Sequence, residues 1–157
     1  MNFEFPTQER GEFFLCQILA GISSHNAEFT SGKKQKEVAP LSLEMKKLGE
    51  TLVVRVFGEF DLRSADFCRQ EIDRMLKAEG AQSILFDLGG VSFIDSSGLG
   101  VILGRYRKAK ENGWGMAISN VPPAIVKVLE LAGITRLLPV YSDNSQALKD
   151  LARRVKQ

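Results

Sequence analysis

Two adjacent hydroxyl residues, Ser96 and Ser97, lie where the hydrophobic pattern of the chain changes from that of a strand to that of a helix. The apolar positions that follow have helical spacing: Leu99, Ile102, Leu103, Tyr106 and Ala109. Asp95 and Ser96 therefore stand at the expected helix start, where side-chain oxygens accept the first amide protons and partial positive charge collects. A hydroxyl there could act as a nucleophile, accept a phosphate or simply cap the helix, with Ser97 as an ordinary first-turn residue.

The nucleophile is the least favoured of these three roles. A serine hydrolase needs a GxSxG elbow and a histidine base, but Asp95 occupies the place of the first glycine of an elbow centred on Ser97. The only histidine, His25, lies far upstream of the serines. The sequence therefore predicts a protein that is not an enzyme.

The glycines of the same helix do not form a nucleotide-binding motif. Gly98, Gly100 and Gly104 imitate a dinucleotide fingerprint, but the third glycine falls one residue late and no acid follows near residue 118. We interpret them as close-packing positions beneath an exposed loop. Residues 32–34 lack the glycine spacing and the hydroxyl of a P-loop, and no residues have metal-ligand spacing. We expect neither a cofactor nor a metal.

A buried strand and an opening hairpin must position the two serines. Residues 84–88 are too continuously apolar for a strand with one solvated face, and Gly89-Gly90 after them is typical of a turn. Alternating apolar residues over 41–57 predict an antiparallel hairpin, which we expect residues 58–61 to end. Asp61 is then either a turn or helix-capping residue, or an acid that contacts a partner on the same sheet end as Ser96.

Strands and helices alternate over the rest of the chain. Helical spacing over residues 64–78 predicts an amphipathic helix with Cys68 in the core. We then expect a strand over 114–119, a helix from Pro122-Pro123, a strand over 137–141 and a last helix capped at Asp143. The order ββαβαβαβα predicts an α/β fold with a mixed, mainly parallel sheet and helices packed on it.

Composition limits the classes of partner. The 157 residues are 44% hydrophobic and 25% charged, which fits one domain with a tail. A net charge of +2 without a basic stripe argues against nucleic acid, and no stretch approaches the ~20 apolar residues of a membrane span. Cys16 and Cys68 form no CxxC motif, so we expect reduced thiols in a cytoplasmic protein.

Residues 1–37 differ from the rest of the chain. An apolar run over 13–22 follows an acidic leader, whereas a signal peptide has a positive leader and a cleavage site. Either this segment is an extension that is disordered or weakly docked, or translation of the native protein starts near Val38. The domain itself is predicted over residues 41–152.

Residues 95–100 (DSSGLG), followed by 101–106 (VILGRY), resemble the signature of the anti-sigma-factor antagonists of the STAS-domain family. The likeness is greatest to the sporulation type of Gram-positive spore formers. Residues 58–61 (GEFD) resemble the Gly-Glu-Leu-Asp turn of the same family, with Phe60 in place of leucine. The resemblance covers residues 41–152 and implies the α/β architecture that the pattern predicts.

The resemblance implies a protein that a serine kinase switches off by phosphorylating Ser96, with Ser97 as the alternative acceptor. The unphosphorylated form would bind an anti-sigma factor that is also the ATP-using kinase, and would so release the sigma factor. A serine phosphatase would reverse the modification. The candidate partner contacts around Ser96 are Asp61, Asp95, Gly98, Leu99, Gly100 and Arg105.

Two questions stay open at this stage. Leu99 also belongs to the apolar stripe of its helix, so a purely structural role is equally possible. The chain could alternatively be a STAS module of another assembly, such as a lipid-transport or stress-signalling complex.

Overall fold

Six strands form one sheet in which neighbours in space are neighbours in sequence. The structure, a computed structural model, describes residues 14–17, as backbone only, and 41–156. The strands are β1 (Phe14–Gln17), β2 (Ser42–Leu48), β3 (Thr51–Phe60), β4 (Ser83–Ile94), β5 (Gly115–Ser119) and β6 (Val140–Tyr141). The pairs from β1 to β3 are antiparallel, and those from β3 to β6 are parallel.

Helices cover both faces of this sheet, which confirms the predicted α/β fold. They are α1 (Leu62–Glu79), α2 (Ser96–Asn112), α3 (Pro123–Leu131), α4 (Ile134–Leu137) and α5 (Asn144–Val155). Successive strand side chains point to opposite faces, so Val54 packs in the main core with residues of α1 to α4 and Val53 packs in a smaller core under α5. Cys68 is fully buried in the main core, as predicted.

The predicted turn at Gly89-Gly90 is wrong, because β4 continues through both glycines to Ile94. The hairpin strand does end within residues 58–61, as expected, but β3 first continues through Gly58 to Phe60. The ladder accommodates these glycines through register shifts between β3 and β4, and Gly58 has a positive φ of 93°. A Cβ on Gly90 would lie 2.2 Å from Cδ1 of Phe57. Both local turn signals are therefore features of one strand pair.

Asp87 is a buried charged residue inside β4. Its carboxylate accepts hydrogen bonds from Nδ2 of Asn144 at 2.9 Å and from the Gly89 amide at 3.0 Å. Nε of Arg55 lies 3.3 Å from the same carboxylate. Because Asn144 is the first residue of α5, this buried polar cluster fixes the start of that helix on the sheet.

The strand predicted over 137–141 is shorter than expected: only Val140–Tyr141 pair with β5, and Leu137 is the last residue of a short helix, α4. Gly133 supplies the left-handed residue that precedes α4, with φ of 76°. The amide of Leu138 closes the helical turn onto the Ile134 carbonyl at 3.0 Å. The predicted final helix is confirmed, and the Asp143 side chain caps it.

Four residues of the predicted extension belong to the sheet. In β1, Phe14 lies opposite Met45 and Gln17 lies opposite Ser42, so the backbone of this segment covers the outer edge of β2. His25 and the hypothetical start near Val38 lie outside the described residues. The boundaries of the domain stay a prediction.

Candidate functional site

Two helices start side by side at the ends of β3 and β4. These strands are parallel and end in register, with Phe60 opposite Ile94. The next residue of each chain segment is an aspartate, and Asp61 caps α1 while Asp95 caps α2. The structure thus places Asp61, Asp95 and Ser96 at the same end of the sheet, as the sequence predicts.

The carboxylate of Asp95 holds both helix starts. One oxygen accepts hydrogen bonds from the amides of Ser97 at 2.8 Å and Gly98 at 3.1 Å, in the first turn of α2. The other oxygen accepts from the amide of Leu62, the first residue of α1, at 3.2 Å. In addition, the Asp95 amide donates to the Phe60 carbonyl at 3.2 Å. This one residue therefore fixes the start of α2 relative to the start of α1.

Asp61 forms a capping box at the start of α1. Its carboxylate accepts from the Arg63 amide at 3.0 Å, and its own amide donates to Oγ of Ser64 at 3.2 Å. The Arg63 guanidinium forms an ion pair with Asp61 at 2.8 Å and approaches Glu59 at 3.5 Å. Burial acts to raise the pKa of Asp61, but the hydrogen bonds and charge of Arg63 outweigh it and lower that pKa. The helix-capping role is confirmed, and partner contact by Asp61 stays a prediction.

Ser96 is the first residue of α2 and is exposed, whereas Ser97 is half-buried. The capping role that we considered for Ser96 is wrong, because the Asp95 carboxylate already binds the first free amides of α2. The Ser96 hydroxyl is consequently not required for capping and faces solvent. This exposure favours Ser96 over Ser97 as the residue that a second protein can modify.

The expectation of close packing is confirmed for Gly98 and wrong for Gly100 and Gly104. A Cβ on Gly98 would lie 2.3 Å from the Phe60 carbonyl oxygen and 2.9 Å from Cγ1 of Ile94. Around Gly100 and Gly104 a Cβ would meet no atom within 4 Å. Gly98 begins the buried face of α2, whereas the later two glycines are turned away from it by the 3.6-residue helical period.

Arg105 does not lie around Ser96. It is nine residues further along α2, about 13 Å along the helix axis, and only 7% of it is exposed. Its guanidinium donates to the Arg69 carbonyl at 3.2 Å and pairs with Asp73 at 3.1 Å, both on α1. Burial lowers the pKa of Arg105, and the charge of Asp73 opposes that shift. Arg105 is a residue of the α1–α2 interface, and the structure does not place it around Ser96, where the sequence predicted it. Leu99 is half-buried and packs against the main core, which supports its structural role.

Sequence reasoning missed two apolar side chains at this end of the sheet. Leu62 is 74% exposed and Phe93 is 48% exposed. Leu62 follows the cap of α1, and Phe93 points away from the core because its neighbour Ile94 points into it. Alternation gave no signal for Phe93, because Ser92 and Phe93 are both exposed where the register between β3 and β4 shifts.

The part of the chain that the structure describes contains no group of three or more His, Cys, Asp or Glu residues arranged to hold a metal ion. Within residues 41–156, no helix is long and apolar enough to cross a membrane.

Comparison with known proteins identifies the family. The model of the STAS domain matches residues 42–147. The chain belongs to the STAS domain family. An anti-sigma F factor antagonist of Paenibacillus polymyxa is 35% identical over 111 residues, which cover 71% of this chain and 95% of that relative.

Solved structures agree with this assignment. An anti-sigma factor antagonist from Mycobacterium paratuberculosis has a TM-score of 0.65 and 25% identity, over 71% of this chain and 94% of that one. The Bacillus cell fate determinant SpoIIAA in its phosphorylated form has a TM-score of 0.57 and 26% identity, over 69% of this chain and 97% of that one. The similar proteins from Paenibacillus polymyxa and Mycobacterium paratuberculosis are both anti-sigma factor antagonists.

Proposed function

We propose that this STAS protein is an anti-sigma factor antagonist whose binding to its partner is switched off by phosphorylation of Ser96. The observation that carries the proposal is the exposed Ser96 hydroxyl at the start of α2, which capping does not require. The relatives are anti-sigma factor antagonists, and one similar protein has been solved in a phosphorylated form. The unphosphorylated protein would bind an anti-sigma factor and so release the sigma factor.

The anti-sigma factor is proposed to be the kinase as well. In the transfer, the Ser96 oxygen forms a bond to the γ-phosphorus of ATP, the bond to the β-γ bridging oxygen breaks, and ADP leaves. The hydroxyl proton passes to a base of the kinase, because the nearest carboxylate, Asp95, already accepts hydrogen bonds from three backbone amides. A serine phosphatase would hydrolyse the phosphate ester and restore the binding form.

The fold should tolerate the phosphate. The new group adds about −1.5 to −2 charges at pH 7, at a helix N-terminus whose dipole favours anions. The amides of Ser97 and Gly98 already bind Asp95, so the phosphate does not replace a structural contact when it forms. A helix cap need not break for Ser96 to be modified.

The same phosphate should prevent binding. It would stand beside the carboxylates of Asp95 and Asp61 on a surface that the partner must cover. Bringing like charges together, or burying an unpaired charge, costs several kcal/mol across an interface. Since about 1.4 kcal/mol is a factor of ten in affinity, the modification is sufficient to release a partner.

Three variants test the switch. The free energy of unfolding of Ser96→Ala should lie within about 0.5 kcal/mol of that of the wild type, because Asp95 and not Ser96 caps the helix. It should bind the anti-sigma kinase and resist release by ATP, whereas Ser96→Asp should fold normally and bind at least tenfold more weakly. Ser97→Ala is the matched control and should be phosphorylated like the wild type. Phosphate that maps outside residues 95–100, with both serine variants labelled normally, would refute the proposed switch.

A further inference from the structure

Two exposed apolar side chains lie at the same end of the sheet as Ser96. Phe93 lies three residues before Ser96 at the end of β4, opposite Glu59 of the neighbouring strand. Leu62 is the first residue of α1, and its amide is bonded to the Asp95 carboxylate beside Ser96. Both side chains are large and exposed, so they contribute little to the core. Apolar side chains in this position are available to a second protein.

We propose that Leu62 and Phe93 are the apolar anchors through which the anti-sigma kinase binds this end of the sheet. The inference rests on the proposed function and deepens it, because it identifies the residues that provide most of the binding energy. Affinity at such a surface would then depend on apolar burial, and the charged neighbours would set orientation.

Continuity with Ser96 selects the kinase as the occupant. A kinase must enclose the Ser96 hydroxyl to transfer phosphate to it, and neighbouring strands lie only about 4.8 Å apart. The two strand ends that carry Phe93 and Asp61 are paired in the sheet, and α1 starts directly after Asp61. The backbones of Phe93 and Leu62 therefore lie close enough to the start of α2 for one protein surface to cover them together with Ser96.

The charged residues of this surface are bonded within the chain. Arg63 pairs with Asp61 at 2.8 Å and approaches Glu59 at 3.5 Å. The carboxylate of Asp95 accepts from backbone amides. Exposed charges that already have partners contribute little affinity, whereas central apolar and aromatic side chains are the usual hot spots of interfaces. A phosphate on Ser96 would lie next to these anchors. A partner that buries the anchors would then also remove water from the phosphate, which is unfavourable.

Binding measurements on Leu62→Ser and Phe93→Ser test the proposal. Each variant, titrated calorimetrically with the purified anti-sigma kinase, should bind at least tenfold more weakly than the wild type. The matched control is Leu131→Ser, because Leu131 is 90% exposed and lies at the end of α3. That control should bind within twofold of the wild type. The melting temperatures of the wild type and the three variants should agree within a few degrees. If Phe93→Ser melts at a lower temperature, the affinity of Leu62→Ser alone decides the test.

The failure of this inference differs from the failure of the proposed function. If the wild type binds the kinase and is phosphorylated on Ser96 while Leu62→Ser and Phe93→Ser bind within twofold of it, the apolar anchors are refuted and the switch stands. If Leu131→Ser loses as much affinity as the other two variants, the anchors are likewise refuted, since the effect is not local. If the wild type neither binds nor is phosphorylated, the proposed function itself is refuted.

Discussion

Replacing Gly98 by alanine tests how closely α2 approaches the end of β3. The added Cβ would lie 2.3 Å from the Phe60 carbonyl oxygen, 2.9 Å from Cγ1 of Ile94 and 3.0 Å from Cγ of Phe60. The closest of these atoms belongs to backbone, so a rotamer change of one side chain cannot relieve the overlap. The same Phe60 carbonyl accepts the hydrogen bond from the Asp95 amide. The start of α2 must therefore move away from β3, and Ser96 moves with it.

The expected cost follows from two opposing terms. Overpacking typically destabilises by about 1–3 kcal/mol, and a rigid backbone contact places Gly98→Ala at the upper end of that range. Alanine in a helix is favoured over glycine by about 0.8–1 kcal/mol, less in the first turn, which offsets part of the cost. Gly100→Ala gains the propensity term without the steric one, because its Cβ meets no atom within 4 Å. Gly98→Ala should thus be less stable than Gly100→Ala by about 2–3 kcal/mol.

Thermal and urea denaturation of the two variants measure this difference. For a chain of this size, about 2–3 kcal/mol corresponds to a difference in melting temperature of roughly 5–12 °C. Gly104→Ala is a second control, since a Cβ there also meets no atom within 4 Å. A melting temperature of Gly98→Ala equal to or above that of Gly100→Ala would contradict the close approach of α2 to Phe60.

Three further predictions concern buried or charged side chains. Burial raises the pKa of the Cys68 thiol to about 12, so in a Cys16→Ser background a thiol reagent at pH 8 should label the native protein only at its unfolding rate. The pKa of Asp61 is lowered in the folded state, so its contribution to stability is present above the unfolded pKa of about 4 and is lost as the pH falls through the folded pKa. The melting temperature of Asp61→Asn should therefore fall less than that of the wild type between pH 6 and pH 3. Arg105→Met should change affinity for the anti-sigma kinase less than twofold in calorimetry, because Arg105 is buried between α1 and α2 and Lys108 still pairs with Asp73 at 3.1 Å.

Local signals were sufficient to predict the start of α2. The change of hydrophobic period after Ser97 and the aspartate before the serines are properties of a few consecutive residues, and the observed helix begins at Ser96 with Asp95 as its cap. The same reasoning predicted the helix after Asp61 and the cap at Asp143. Periodicity and capping therefore located the hydroxyl correctly along the chain and at the right end of the sheet.

Tertiary contacts decided what the sequence could not. The sequence pattern does not distinguish Gly98, Gly100 and Gly104 from one another. Only Gly98 faces the Phe60 carbonyl, and this depends on the position of β3. Gly90 is a turn residue by local propensity, yet it lies in a strand opposite Phe57. The Phe57 ring occupies the space that a side chain at position 90 would fill. Arg105 is charged and therefore looked like a surface residue, but α1 covers it.

The division of roles between Asp95 and Ser96 explains how a modification can control binding without unfolding the domain. If the serine were the cap, its hydroxyl would be bonded to the first amides of α2, and a phosphate there would disturb a contact worth about 0.5–2 kcal/mol. Asp95 instead binds those amides and also holds the start of α1 through Leu62. The adjacent hydroxyl is consequently exposed to a kinase while the two helix starts stay fixed. A phosphate on Ser96 then changes the charge of the surface that a partner must cover, and leaves in place the contacts that hold that surface together.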